Sequence, residues 1–152
     1  MTPQQISQFL DAIITEHAPN RQCIANVIPH DSPISRCFSQ TLLENKFIVL
    51  VARPQDIPTI PGLGDLIPLG ATYKDTIFLT QPINYSILFH ELIHLVQWQS
   101  LGDIGFITLY MREIMNGRTL RNNCLEAPAY EFQQQFDAGI IQNFEDATCQ
   151  RL

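Results

Sequence analysis

The apolar positions of this chain change period along its length. Ile6, Phe9, Leu10, Ile13 and Ile14 recur at intervals of three and four, the spacing that lays one face of a helix on a core. Thr2-Pro3-Gln4-Gln5 precedes them, offering a cap, a first-turn proline and a glutamine that can close a capping box. The run continues to His17 and stops before Pro19. Residues 23–28 (CIANVI) and 47–52 (FIVLVA) are short apolar runs of strand length, with a short helix expected in SRCFSQTLLEN between them. From Arg53 to Gly70 the chain carries Pro54, Pro58, Pro61, Gly62, Gly64, Pro68 and Gly70. That many breakers predict a long ordered loop rather than regular structure. Residues 76–80, TIFLT, predict a third strand, closed by Pro82.

After this point the helical period takes over. Asn84 and Gly102 bound a predicted helix over residues 84–101, as cap and as terminating glycine. Asp103 caps a second, ending at Asn116-Gly117, and a third runs from about Asn123 to Ala138, before Gly139. Strands first and helices later predict an α+β fold rather than an alternating βαβ one.

With 152 residues, 45% of them hydrophobic, the chain suits one domain spanning residues 1–152, with a core that needs no disulfide or metal staple. Its net charge of −6 argues against nucleic acid, whose phosphates require clustered Lys and Arg. The N-terminal stretch lacks a basic region followed by an apolar one, and no apolar run approaches the ~18 residues of a membrane span. The expectation is therefore a cytoplasmic protein with no membrane partner. Cys23, Cys37, Cys124 and Cys149 are widely spaced with no Cys-x-x-Cys pair, which reads as buried or idle thiols, one disulfide being the alternative.

The chemistry concentrates in FHELIHLVQWQS, residues 89–100. With His90 as the origin of a helical wheel, His94 lies roughly 40° away, Gln97 roughly 20° to the other side and Glu91 roughly 100° away. Leu88, Phe89, Leu92, Ile93, Leu95 and Val96 cover the remaining faces, so the helix is predicted to be central and buried, and its polar groups need partners. Two imidazoles four residues apart can reach one Zn²⁺ while the intervening glutamate leans over a water on that metal. The competing reading is a hydrogen-bonded pair of core histidines.

Zinc needs a third ligand. His17 and His30 lie far upstream, and a carboxylate from the third helix fits better. Setting Glu126 at zero, Tyr130, Gln133 and Asp137 fall within roughly 40° of it, whereas Glu131 points roughly 140° away. Glu126 thus heads a polar stripe, which an ordinary solvated face would also produce. Pro128 predicts an irregular start or a kink in this helix.

His90-Glu91-Leu92-Ile93-His94 followed by Glu126 resembles the gluzincin branch of the zincin metallopeptidases, and Glu-Ala-Pro-Ala-Tyr is similar to segments of small bacterial HExxH domains. The resemblance covers residues 84–137, and only the five-residue motif is highly specific. It implies His90, His94 and Glu126 as zinc ligands, Glu91 as general base, a three-stranded sheet beneath the long helix, and TIFLT as the edge strand that aligns an extended peptide or protein substrate. Tyr130, Tyr110 and His30 are candidates to stabilise the oxyanion, Tyr130 being favoured because it shares the Glu126 stripe. Two other classes stay open: a catalytically inactive zinc-binding domain with a structural or interaction role, and a metal-free helical interaction module.

Overall fold

The computed structural model describes residues 1–60 and 68–152. Helix α1 spans Pro3–His17, and its capping box is formed: the Thr2 hydroxyl accepts from the Gln5 amide at 3.1 Å while the Gln5 side chain takes the Thr2 N–H at 2.8 Å. Strand β1 is Gln22–Cys23, α2 is Gln40–Asn45, β2 is Phe47–Val51, β3 is Gly70–Tyr73 and β4 is Thr76–Thr80. Four helices complete the chain: α3 Tyr85–Leu101, α4 Asp103–Met115, α5 Glu126–Asp137 and α6 Phe144–Gln150. The molecule is α+β.

The sheet is mixed, in the order β1-β2-β4-β3. The two apolar runs become its centre: β2 and β4 lie parallel, Ile48 opposite Ile77 and Leu50 opposite Leu79. Continuous hydrophobic runs suit strands covered on both faces, and Thr76 to Leu79 are all buried. TIFLT is therefore an inner strand, correcting its expected place at the edge. The edge next to it is β3, antiparallel to β4. Gly70, expected to end the loop, instead begins this fourth strand. Residues 61–67 of the expected loop lie outside the described residues, and Pro54–Asp56 form a 3₁₀ turn.

CIANVI is likewise corrected. Only Cys23 of it pairs in the sheet, and Ile24–Asn26 turn into a 3₁₀ helix. Ile24 and Ile28, four apart and joined by an N–H···O bond of 3.2 Å, both enter the core, a spacing that suits a helical turn better than a strand. A sixth helix, α6, was not expected. Asn143 caps it, accepting from the Asp146 amide at 3.0 Å, and it buries Phe144 and Thr148.

Helix α3 sits between two apolar clusters. On one side Phe89 stacks on Phe136 with ring centroids 4.5 Å apart and meets Phe144 edge-on at 4.9 Å. On the other, α1 and α4 close over Val49 and Phe78, with Trp98 stacked on Phe106 at 3.9 Å. Burying an aromatic side chain of this kind contributes roughly 1.5–3 kcal/mol. Every residue from Leu88 to Trp98 is buried in consequence. No described helix is long and apolar enough to cross a membrane, and all four cysteines carry free thiols.

Candidate metal centre

The helix that carries the histidines is bounded as the sequence predicts. Asn84 accepts from the Ile87 amide at 3.2 Å, and Gly102, at φ +75°, ends the helix in a conformation that costs other residues strain. The four-residue spacing then stacks His90 over His94 on one face, with their Nε2 atoms 3.1 Å apart.

The third donor comes from α5. Asn123, three residues before that helix, accepts the amides of Leu125 at 2.8 Å and Glu126 at 3.4 Å, which sets the turn that presents Glu126. Pro128 falls in the first helical turn, where its missing N–H would have had no partner within the helix, so the proline sits at the helix start and not in its interior. The Glu126 carboxylate reaches both imidazoles, Oε2 at 3.1 Å from His90 Nε2 and Oε1 at 2.9 Å from His94 Nε2. All three side chains are buried, and their donor atoms lie within 4.8 Å of one another. Bonds of about 2.0–2.1 Å in tetrahedral array would place donors roughly 3.3 Å apart, so the set fits one metal ion with shifts of a few tenths of an ångström. Two nitrogens and a carboxylate suit a late first-row metal better than Mg²⁺ or Ca²⁺.

Glu91 lies against this cluster, 6% exposed. The Thr72 hydroxyl, from β3, is 2.8 Å from its Oε1 and 3.2 Å from its backbone oxygen. Trp98 fixes Thr72 in turn, donating its indole N–H to the Thr72 carbonyl at 3.1 Å. Gly70 makes the approach of β3 possible: a Cβ there would meet Leu79 Cδ2 at 2.8 Å, Ile87 Cγ2 at 3.1 Å and Glu91 Cγ at 3.2 Å. Burial pushes the Glu91 carboxyl above its ordinary range, against the pull of His94, His90 and Thr72. Burial alone would also raise Glu126 and lower His94. The mutual attraction of the two outweighs it, taking Glu126 well below the usual carboxylate range and pushing His94 up to about 9.

Each imidazole is held from behind. His94 Nδ1 lies 2.8 Å from Gln97 Oε1, and Gln97 donates to the Leu125 carbonyl at 2.8 Å. His90 Nδ1 lies 2.9 Å from Gln133 Oε1, and Gln133 donates to Ser86 Oγ at 2.9 Å. The cluster opens on a cavity of about 670 Å³, walled by Ile6 and Leu10 of α1, by Phe106, Tyr110 and Met111 of α4, and by β3.

Of the remaining predicted residues, Tyr130 lines this cavity with its ring 4.6 Å from that of His90, and the Arg121 guanidinium lies 4.3 Å over it. Tyr110 lines it too. His30 is exposed and lies outside the cavity lining. Glu131 is exposed on the far side of α5, bonded to Arg151 at 2.9 Å. Gln97 and Gln133 stood in the predicted polar sectors without a role, and Asn123 stood at the expected start of the third helix, three residues before its observed first residue, whereas Thr72 and Gly70 carried no signal, because their part depends on contacts between elements.

The chain matches no protein-family model, no curated protein and no solved structure.

Proposed function

We propose that the protein is a zinc-dependent metallopeptidase, zincin-like and of gluzincin type in its ligands, that hydrolyses a peptide bond in a peptide or protein substrate. The observation that carries this reading is the position of Glu91: a buried carboxylate beside the His90–His94–Glu126 donor set, one oxygen engaged by Thr72, in the wall of a cavity of about 670 Å³, within the ordinary range of ligand sites. His90, His94 and Glu126 would hold the zinc, which would supply Lewis acidity and a lowered pKa for water. Glu91 takes the proton from the attacking water and passes it to the departing amine, a role that its place beside the donor set allows. Tyr130 is the preferred donor to the developing oxyanion, with Tyr110 as the alternative. Burial first, and then the carboxylate of Glu126, push both phenols upward, so each keeps its proton at neutral pH. Strand β3, at the edge of the sheet and in the cavity wall, offers backbone groups to an extended chain.

A non-hydrolytic zinc domain would need neither the base nor the cavity. The test is zinc-loaded protein against its Glu91→Gln variant on a peptide library. Zinc content stays near one ion per chain in both, and cleavage falls by at least about 100-fold in the variant. Equal cleavage by both removes Glu91 as base, and zinc without cleavage by either returns the non-hydrolytic reading.

A further inference from the structure

The hydrogen bonds behind the two imidazoles have a direction that their far ends impose. On the His94 side the chain ends at the Leu125 carbonyl, which can only accept. It therefore takes the amide NH₂ of Gln97, the Gln97 oxygen must face His94 Nδ1, and Nδ1 must be the donor. On the His90 side the chain ends at a carboxylate. Asp137 Oδ2, 2.9 Å from Ser86 Oγ, can only accept, so the single Ser86 hydrogen goes to it. Ser86 then accepts the NH₂ of Gln133, and again the amide oxygen faces Nδ1 of the histidine. Both imidazoles are thereby directed to donate from Nδ1 and to offer Nε2 to the cluster.

The two clamps are also reciprocal between helices. Gln97 reaches from α3 to the residue preceding Glu126, and Gln133 reaches from α5 back to α3, so the bonds that orient the imidazoles also hold the two ligand-bearing helices together.

We infer that Gln97 and Gln133 are positioning residues that set both imidazoles as Nε2 ligands and assemble the donor set before a metal arrives. This rests on the metal-binding half of the proposed function and is independent of hydrolysis. Outer partners that orient ligating histidines typically change metal affinity by about 10–100-fold when removed. An amide does this without the negative charge that a carboxylate partner would add.

The experiment measures zinc affinity by competition with a chromophoric chelator in the wild type and in Gln97→Met, Gln133→Met, Gln133→Glu and Asp137→Ala. Both methionine variants are expected to bind about 10–100-fold more weakly. Gln133→Glu restores an acceptor for Nδ1 while losing the donor to Ser86, and is expected to bind zinc more tightly than Gln133→Met, and Asp137→Ala, two bonds removed from Gln133 and exposed, shows a smaller loss than Gln133→Met. If Gln97→Met does not fold, the half-buried Gln133 series decides alone. Methionine variants within threefold of the wild type, or Gln133→Glu as weak as Gln133→Met, overturn the inference while leaving zinc binding intact. A wild type that takes no zinc overturns the metal reading itself. Long-range proton–nitrogen NMR of the zinc-loaded protein gives a second readout: Nδ1–H in both rings is expected, and ligation through Nδ1 in either ring overturns the inference.

Discussion

Thr72 holds Glu91 from the edge of the sheet: its hydroxyl is 2.8 Å from the Glu91 Oε1, joining two residues nineteen apart in sequence and on different elements. A hydroxyl has one hydrogen to give, so it restrains one carboxylate oxygen and leaves the other for the proton transfer proposed above. Thr72→Val keeps the shape and removes the bond. The expected result is turnover lower by about tenfold with KM within about twofold, restored in Thr72→Ser. Steady-state kinetics of the three forms check it, and an unchanged turnover in Thr72→Val removes the role.

Gly70 sets how closely β3 lies on α3. Gly70→Val places atoms where Leu79 and Glu91 already stand, and such overpacking costs about 1–3 kcal/mol. Urea unfolding is expected to show that loss, together with reduced cleavage, because the displaced strand carries Thr72.

Glu126 and Glu131 separate cleanly. Glu126→Ala removes a donor within reach of both histidines, and zinc affinity is expected to fall by more than about 100-fold. Glu131→Ala breaks only an exposed pair with Arg151, worth less than about 1 kcal/mol, and leaves zinc binding unchanged. Chelator competition on both variants decides between them, and greater zinc loss in Glu131→Ala rejects the ligand set.

Removing the metal exposes a pH dependence. The folded-state value of His94 lies above its ordinary 6.5, at about 9, so the stability it contributes is complete below pH 6.5 and disappears as pH rises through 9. Glu126 shifts the opposite way: its contribution is complete above its ordinary value of 4.5 and is lost as pH falls below it. The raised Glu91 contributes a decline that starts at its ordinary value of 4.5, as pH rises toward its folded-state value. Metal-free protein is thus expected to be most stable just above pH 4.5 and to weaken from there toward pH 9. Zinc affinity is expected to rise from pH 7 to 9, because zinc must displace the His94 proton. Urea midpoints of the metal-free form at pH 5.5, 7 and 9, with zinc titrations at 7 and 9, test both trends, and a metal-free midpoint that rises from 5.5 to 9 contradicts the first.

Local order was legible in the residues themselves. The Thr2 capping box, the Asn84 cap, the Gly102 stop and the pairing of His90 with His94 all depend on residues within four positions of one another, where backbone geometry alone decides who meets whom. Glu126 was legible through the polar stripe it heads, since rotation about a helix separates it from Glu131. The order of the strands was not. TIFLT reads the same whether it lies inside a sheet or at its edge, because an apolar run records burial and not which neighbour provides it. Only the pairing of β4 with both β2 and β3 made it central and turned Gly70–Tyr73 into the edge. That choice put Thr72 on Glu91, and the packing of α5 on α3 put Gln133 behind His90. Each pair is joined by tertiary contact across 19 or 43 residues, distances at which neither periodicity nor capping carries information about the partner.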